Sequence, residues 1–542
     1  MKPPAAPAPS APSAPFPDDA LPAGAVVEGD RLEADCEDAY DYVVVGSGAG
    51  GAVAAHVLAT SGASVAIVEE GPWVHTRDFG ERVYDAFRVL FRDAGMQVIE
   101  GRSYIPILQG RCVGGSTVVN SAIAHRTPED VLDDWAGMDL GGGLGGVVTA
   151  KTLEPHFDAL ERELSAHAVS DDALGDNDRR FLDEATMHGL LGRRTRRYEH
   201  GCRGSGRCFT GCPNAAKQGM SVTYVPWSLA LGARIYTSCR VERVVIEGGR
   251  ATGVLARAAG APGRGERVIK LHARHGVVVA ASAVQTPNLL RRSGLRARAL
   301  GEHFQCHPGY GLGALFDDAV RASAAGAGRM GATQGAEITS LRRTDRVKFE
   351  TLALQPELAA VRMPGVGHDW MRRFDRYASF AQWAMVLRAE AEGTVRSAWG
   401  GGDKVRWTPS PVDMDRAVKG VARLARMMFE AGAREVWPGL HGVPTAIRSV
   451  DEVSAIERMP REPRAFSFLS THLFGGARMG TDPRASVVGT DFQTHEAARL
   501  YVVDSSVFPT NLGVNPQHSI MAMSRLAATR IVAGGRARNR AA

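Results

Sequence analysis

A short apolar run, Asp41-Tyr42-Val43-Val44-Val45, leads without a break into Gly46-Ser47-Gly48-Ala49-Gly50-Gly51. An alanine-rich, helix-favouring stretch follows, then a second apolar run, Val65-Ala66-Ile67-Val68, which ends on Glu69. The order strand, glycine turn, helix, strand and acid predicts the opening of a Rossmann-like α/β unit. Gly46, Gly48 and Gly51 fit G-x-G-x-x-G, and each has a physical task. Gly46 lets the chain turn, Gly48 lets backbone approach a pyrophosphate, and Gly51 lets the helix pack closely on the strand. The helix then offers free N–H groups and the positive end of its dipole to phosphate. Glu69 stands where a carboxylate meets an adenosine ribose. A tight turn without a ligand accounts for the glycines but not for that acid.

The motif is common to nicotinamide and flavin dinucleotide binders, and the far end of the chain separates them. Residues 499–526 contain an apolar run, Leu500 to Val503, an acid at Asp504, a loop, and a helix-like stretch beginning near Pro516. FAD is long, and a chain that holds it returns to the flavin half with a second strand bearing a carboxylate. A nicotinamide enzyme has no such need. The cofactor expected is therefore FAD.

Four blocks then carry a resemblance. The first is Gly110-Arg111-Cys112-Val113-Gly114-Gly115-Ser116-Thr117-Val118-Val119-Asn120, and the second runs from Ser282 to Leu295. The third is His472-Leu473-Phe474-Gly475-Gly476 with Arg478-Met479-Gly480, and the fourth is Val514-Asn515-Pro516. In this order, over about residues 40–538, the chain resembles the glucose–methanol–choline oxidoreductase family of flavoproteins that oxidise alcohols. It departs from the family pattern at Thr127, where a small residue or proline is expected, and at Arg296, where glycine is usual. The resemblance implies that Gly114, Gly115, Ser116, Asn120, Val241, Ser505 and Pro516 join Gly46, Gly48, Gly51, Glu69 and Asp504 in binding FAD. It implies that His472 is the base and Asn515 its partner. Where some relatives attach FAD through a histidine this chain has Val119, which has no nucleophile, so FAD is expected to be noncovalent.

The chemistry suits those two residues. Oxidising an alcohol requires a base for the hydroxyl proton and an acceptor for the carbinol hydride, here flavin N5. Imidazole titrates near neutral pH and can take that proton. An amide at 515 can hydrogen-bond the substrate oxygen without competing for its proton. His125, His303, His307 and His518 are read as ordinary core or structural histidines. Two other classes share the motifs: a lyase that keeps FAD and cleaves cyanohydrins, and a flavin-binding protein without catalysis.

Seven cysteines and no secretory leader argue against a disulfide framework. Cys202, Cys208 and Cys212 lie in a glycine-rich loop with Pro213 after the last. Their spacing resembles the segment through which some family dehydrogenases hold a three-iron sulfur cluster, for which thiolates are the required ligands. The alternative is a compact loop in which the thiols only pack. With a cluster, electrons pass to a redox partner; without one, oxygen is open as the acceptor of what the small-molecule alcohol gives up.

At 542 residues the chain is long enough for roughly two to four folding units. Lys and Arg number 64 against 59 Asp and Glu, with no dense basic block, so nucleic acid and membrane surfaces gain no support. No stretch approaches the roughly 20 apolar residues of a membrane span. The expectation is a soluble, cytoplasmic protein of mixed α/β class. In it a Rossmann-like FAD-binding domain (40–150 with 200–300 and 470–538) is interleaved with a substrate-binding domain (151–199 with 301–469). The latter is expected to be built on an antiparallel sheet with helices. Residues 1–39 are read as a disordered N-terminal segment, Pro/Ala/Ser-rich up to Pro17. Val418, Val421, Ala422, Ala425, Met428 and Phe429 fall at helical spacing, with Asp413 or Asp415 to cap the start and Gly432 to end it. Strands are predicted over 240–246, 379–387 and 394–399.

Overall fold

The computed structural model describes residues 21–138, 144, 146–320 and 330–541. Its first sheet is built on the apolar runs read from the sequence. The strand Cys36–Val45 lies between Val65–Val68 and Arg267–Val279, parallel to both. Outward on one side come Arg234–Thr237 and Val26–Glu28, also parallel. On the other side Arg267–Val279 is long enough to serve two neighbours: its first half pairs antiparallel with Arg250–Ala258, its last residues parallel with Leu500–Val502. Val43, Val44, Val65, Ile67 and Val277 are fully buried, as a parallel sheet covered on both faces requires.

Helix Ala49–Thr60 follows the glycine turn, and the three glycines behave as their spacing predicts. Gly46 has φ +95°, and a Cβ there would meet the carbonyl oxygen of Ala280 at 2.4 Å. A Cβ on Gly51 would lie 1.9 Å from the Gly46 oxygen, so helix and strand touch through backbone. A Cβ on Gly48 would find nothing nearer than Gly115 Cα at 4.0 Å, which leaves the mouth of the turn open.

The second sheet is antiparallel throughout. Its order is Glu435–Trp437, Gln305–Leu315, Phe380–Leu387, Val347–Leu352, Ala336–Ile338 and Gly192–Arg194, and Leu469–Phe474 adds to the edge of Gln305–Leu315. Helix Pro411–Glu430 covers one face, with Val418, Val421, Ala422, Ala425 and Met428 in the core and Gly432 just past its end at φ +95°. Its cap is Ser410, which accepts from Asp413 N while the Asp413 carboxylate accepts from Ser410 N. Asp413 thus belongs to the cap as its reciprocal partner rather than as the capping residue.

Three expectations need correction. Residues 21–39 are not a disordered tail: Val26–Glu28 and the start of Cys36–Val45 are sheet strands, because their backbone groups find partners in Arg234–Thr237 and Arg267–Val279. Residues 1–20, the Pro/Ala/Ser-rich stretch included, lie outside the described residues. Helix Ala150–Glu163 packs Leu153, Phe157 and Leu160 into the core of the first sheet, so the boundary at 151 cuts through that unit. The strand Thr394–Ser397 belongs to neither large sheet. It pairs with Asp403–Arg406, which pairs in turn with Val98–Glu100, a small sheet that ties the two units together.

Candidate active site

Between the two large sheets lies a cavity of about 790 Å³. One limb is walled by the glycine turn. Gly46, Gly48, Ala49 and Gly50 line it, at the N-terminus of a 12-residue helix whose first-turn N–H groups have no intrahelical acceptor. Glu69 is 7% exposed and lines the same limb. It braces the turn, accepting from Ser47 N at 3.0 Å, Ser47 Oγ at 2.7 Å and Gly71 N at 2.8 Å. Burial raises the proton affinity of its carboxyl, against these three donors. Asp504 accepts from Ser282 N at 3.0 Å, Thr286 Oγ1 at 2.5 Å and Ser506 N at 2.8 Å, and so ties the second sequence block to the end of strand Leu500–Val502. Burial raises its carboxyl too.

Segment 110–120 closes over the turn. Gly114 N donates to Ser47 Oγ at 3.0 Å, and a Cβ on Gly115 would stand 3.0 Å from Gly48 Cα. Ser116, Asn120, Val241, Ser505 and Pro516 line the cavity, whereas Gly51 and Gly114 do not reach it and act by letting backbones approach. Val119 lines it as well. Two buried acids, an uncapped helix N-terminus and open space over Gly48 fit a dinucleotide. The two departures from the family blocks have structural uses: Thr127 Oγ1 donates to Ser519 Oγ, and Arg296 N donates to the Glu496 carboxylate.

The other limb holds His472 and Asn515. His472 is on strand Leu469–Phe474, and Asn515 precedes helix Gln517–Ala541. The site is organised by residues that were not expected there. Lys348 is fully buried, and its Nζ lies 2.8 Å from Glu350 Oε2, 3.0 Å from Glu337 Oε2 and 2.7 Å from Asn515 Oδ1. Burial disfavours the ammonium, but Glu350 and Glu337 outweigh it and keep Lys348 protonated. Burial would likewise raise Glu337, yet His125, Lys348 and Arg193 hold it well below the usual carboxylate range.

This arrangement decides how the amide of 515 points. An ammonium only donates, so Oδ1 must face Lys348 and Nδ2 must face His472 Nε2, at 3.4 Å. Nε2 then accepts and carries no proton. His472 Nδ1 stands 3.2 Å from His307 Nδ1, and His307 Nε2 stands 3.1 Å from Asn511 Oδ1. The Asn511 amide is pinned by its own Nδ2, which donates to Gln305 Oε1 and to the Ala389 oxygen. Protons therefore run from His307 Nε2 to Asn511 and from His472 Nδ1 to His307. The Gly513 N–H also donates to His307 Nε2, at 2.9 Å, and favours the opposite His307 tautomer; the two pinned amides favour the assignment given. His472 is lowered to about 3, by burial first and then by Lys348 and His125, so the ring is neutral.

His307 and His125 are thus site residues that sequence reasoning passed over, the first against His472 and the second donating from Nε2 to the Glu337 carboxylate at 2.7 Å while Nδ1 accepts from Arg193. His518 and His303 are elsewhere, beside Glu161 and Glu392. Val347-Lys348-Phe349-Glu350 alternates apolar and charged residues and reads as a half-solvated strand, yet both faces are buried. Nothing in that run signals a buried ion cluster.

The cysteine loop folds around two buried cations. Arg197 Nη2 donates to Cys208 Sγ at 3.1 Å, and Lys217 Nζ donates to the Val118, Asn120 and Cys208 oxygens. Burial raises the Cys208 thiol, but Arg197 and Lys217 more than offset it. Both Glu199 carboxylate oxygens and Arg197 Nη1 are buried without a hydrogen-bond partner beside these thiols. Cys202, Cys208 and Cys212 are free. They are not gathered as a single-ion site; among the described residues the three-residue group with ligand atoms within 4.8 Å is Glu184, His188 and Glu430.

Comparison with known proteins agrees with this geometry. Family models described as GMC oxidoreductase match residues 40–309 and 392–524. The chain belongs to the GMC oxidoreductase family. An uncharacterised GMC-type oxidoreductase of Mycobacterium tuberculosis is 35% identical over 495 residues, 91% of this chain and 76% of the relative. A long-chain-alcohol oxidase of Arabidopsis thaliana is 26% identical over 538 residues, 93% of this chain and 67% of the relative. Formate oxidase of Aspergillus oryzae, in a variant solved for its FAD modification, shares the fold with a TM-score of 0.70 at 15% identity, covering 92% of this chain and 99% of that one. Among the described residues no helix is long and apolar enough to cross a membrane.

Proposed function

We propose that this chain binds FAD noncovalently in the glycine-turn limb and oxidises a primary or secondary alcohol to the carbonyl in the limb of His472. The observation that carries the reading is His472 Nε2: a proton-free nitrogen, oriented by a lysine-fixed amide, in the same cavity as a dinucleotide cradle. Bound FAD supplies the acceptor for the carbinol hydride. Gly46 and Gly48 with the helix N-terminus would hold the pyrophosphate, Gly51 letting the helix close on the strand, while Glu69 would hold the ribose and Asp504, Ser505 and Pro516 the flavin half. Asn515 Nδ2 donates to the substrate oxygen as well as to His472. His472 Nε2 takes the hydroxyl proton, while Nδ1–H to His307 keeps the ring in register. The apolar wall around this limb favours an alcohol on a hydrocarbon chain, in line with the relative named a long-chain-alcohol oxidase.

Anaerobic mixing with a panel of alcohols tests the reading, and bleaching of the yellow flavin band is the expected result. A flavin that stays oxidised with every alcohol points instead to the lyase or to the non-catalytic flavoprotein. Acid precipitation is expected to release all the flavin into the supernatant, because Val119 offers no atom for a covalent link. Flavin that remains with the pellet contradicts this.

The electron acceptor is oxygen or a redox partner, and the loop of Cys202, Cys208 and Cys212 decides between them. Arg197 and Lys217 favour the thiolate of Cys208, the form of ligand an iron–sulfur cluster takes, whereas burial pushes the Cys202 thiol up to about 12. If the three thiols hold a cluster, anaerobically purified protein contains iron and labile sulfide in stoichiometric amounts. Iron-free protein that still turns over and makes peroxide in air assigns the three cysteines to packing and the chain to the oxidases.

A further inference from the structure

The wall of the catalytic limb carries a cation without an acid. Arg362 lines the cavity, and its guanidinium makes two long contacts, Nη1 to Ser467 Oγ and Nη2 to the Gly311 oxygen, both at 3.4 Å. Among the described residues no carboxylate is paired with it. Burial lowers its proton affinity, and Tyr310 is the one group that opposes this. Arg362 is half-buried, so its guanidinium is partly desolvated and lacks the acid that such a charge is ordinarily given. Beside it lies the amide of Gln382, which is 3% exposed, lines the same cavity and has an Oε1 with no hydrogen-bond partner. A Cβ on Gly311 would meet Gln382 Nε2 at 2.3 Å and Arg362 Nη2 at 3.3 Å, so both polar heads meet over this glycine.

The position of this pair relative to His472 follows from the strand register. His307 is the cross-strand partner of His472, and Gly311 is four residues further along the same strand, Gln305–Leu315. Four residues of strand, at roughly 3.3 Å each, span about 13 Å. His307, Gly309 and Gly311 share one face, where a Cβ on Gly309 would meet nothing nearer than 3.3 Å. The two glycines therefore leave a floor without side chains between the catalytic pair and Arg362. Leu469, the cross-strand partner of Gly309, and Val386, its partner on the other side, give it apolar walls.

We propose that Arg362 and Gln382 form a far subsite for the carboxylate of an ω-hydroxycarboxylic acid whose hydroxyl end lies at His472 and Asn515. The inference rests on the alcohol reading above and adds the second end of the substrate. A planar guanidinium can bind a carboxylate through two parallel N–H donors, and Gln382 can turn its amide to add a third. The glycine floor accommodates the methylene chain between the two ends.

Steady-state rates with ω-hydroxydodecanoate, dodecanol and the corresponding α,ω-diol test this, each with the native protein and with Arg362→Gln. The hydroxy acid is expected to have the highest kcat/KM in the native protein. In Arg362→Gln its advantage over dodecanol should fall by roughly ten- to a hundred-fold, the worth of a charge-assisted hydrogen bond, mainly through KM. Arg362→Lys should recover part of the loss. Equal use of acid, alcohol and diol, or a ratio that Arg362→Gln leaves unchanged, overturns the proposal. Binding of dodecanoate, measured by calorimetry, is a readout independent of turnover: the native protein should bind it and Arg362→Gln should bind it at least ten-fold more weakly. Dodecanoate that binds both equally also overturns the proposal. If no alcohol is oxidised but dodecanoate binding needs Arg362, the alcohol reading fails and the subsite stands.

Discussion

His472→Ala is expected to retain its flavin and to reduce it about 10²–10⁴-fold more slowly when mixed anaerobically with an alcohol. The substitution removes the proton-free nitrogen beside Asn515 that is assigned as the base. Asn515 and Lys348 cannot replace it, since both offer only donors toward the substrate. The flavin limb does not touch the substitution: Glu69, Asp504 and the glycine turn are held by their own contacts. The pH profile supplies a second measurement. His472 is lowered to about 3, so its base form is already complete at neutral pH. The native rate of flavin reduction should stay level as pH falls through 6.5, the ordinary value of the group, and the acid limb should lie well below it. An acid limb at or above the ordinary value, or a flavin-replete His472→Ala that reduces at the native rate, removes His472 from the role.

The dinucleotide limb was legible because its physics is local. A left-handed turn, a backbone-to-backbone contact and an acid at a strand end each demand particular residues within thirty or so positions, and Gly46, Gly51 and Glu69 satisfy them in the fold. His472 and Asn515 were legible through the blocks around them. The ion cluster behind them was not. Lys348, Glu337 and His125 come from three separate segments, and each alone has the appearance of a solvated charge or an ordinary histidine. Only the closure of the antiparallel sheet against segment 120–125 buries them together. For the same reason the boundary at 151 failed: helix Ala150–Glu163 has an apolar stripe, but nothing in that stripe says which sheet it covers. Arg362 is a related case. A surface-type residue in a loop becomes informative only when it proves to line the cavity without an ion-pair partner among the described residues.

Lys348→Met is expected to lose about 3–5 kcal/mol of stability, read from chemical denaturation of the flavin-loaded protein. The magnitude comes from what is left behind rather than from the lost ammonium. Glu350 and Glu337 are 6% and 1% exposed, and without Lys348 Glu350 loses the ion-pair partner it has among the described residues while Glu337 keeps His125 and Arg193. Adding Glu350→Gln removes one orphaned charge and should recover part of the stability. Stability alone would not place Lys348 in the reaction, and the acid limb does. Lys348 is the larger of the two charges that help burial depress His472, so its removal should move the limb of flavin reduction to higher pH. The freed Asn515 amide can also rotate and present Oδ1 to His472, which favours a proton on Nε2 and slows proton abstraction further. These two effects should persist in Lys348→Met/Glu350→Gln after its stability has recovered. A double variant that regains stability, native rate and native acid limb together makes Lys348 structural and leaves the orientation of Asn515 to other contacts.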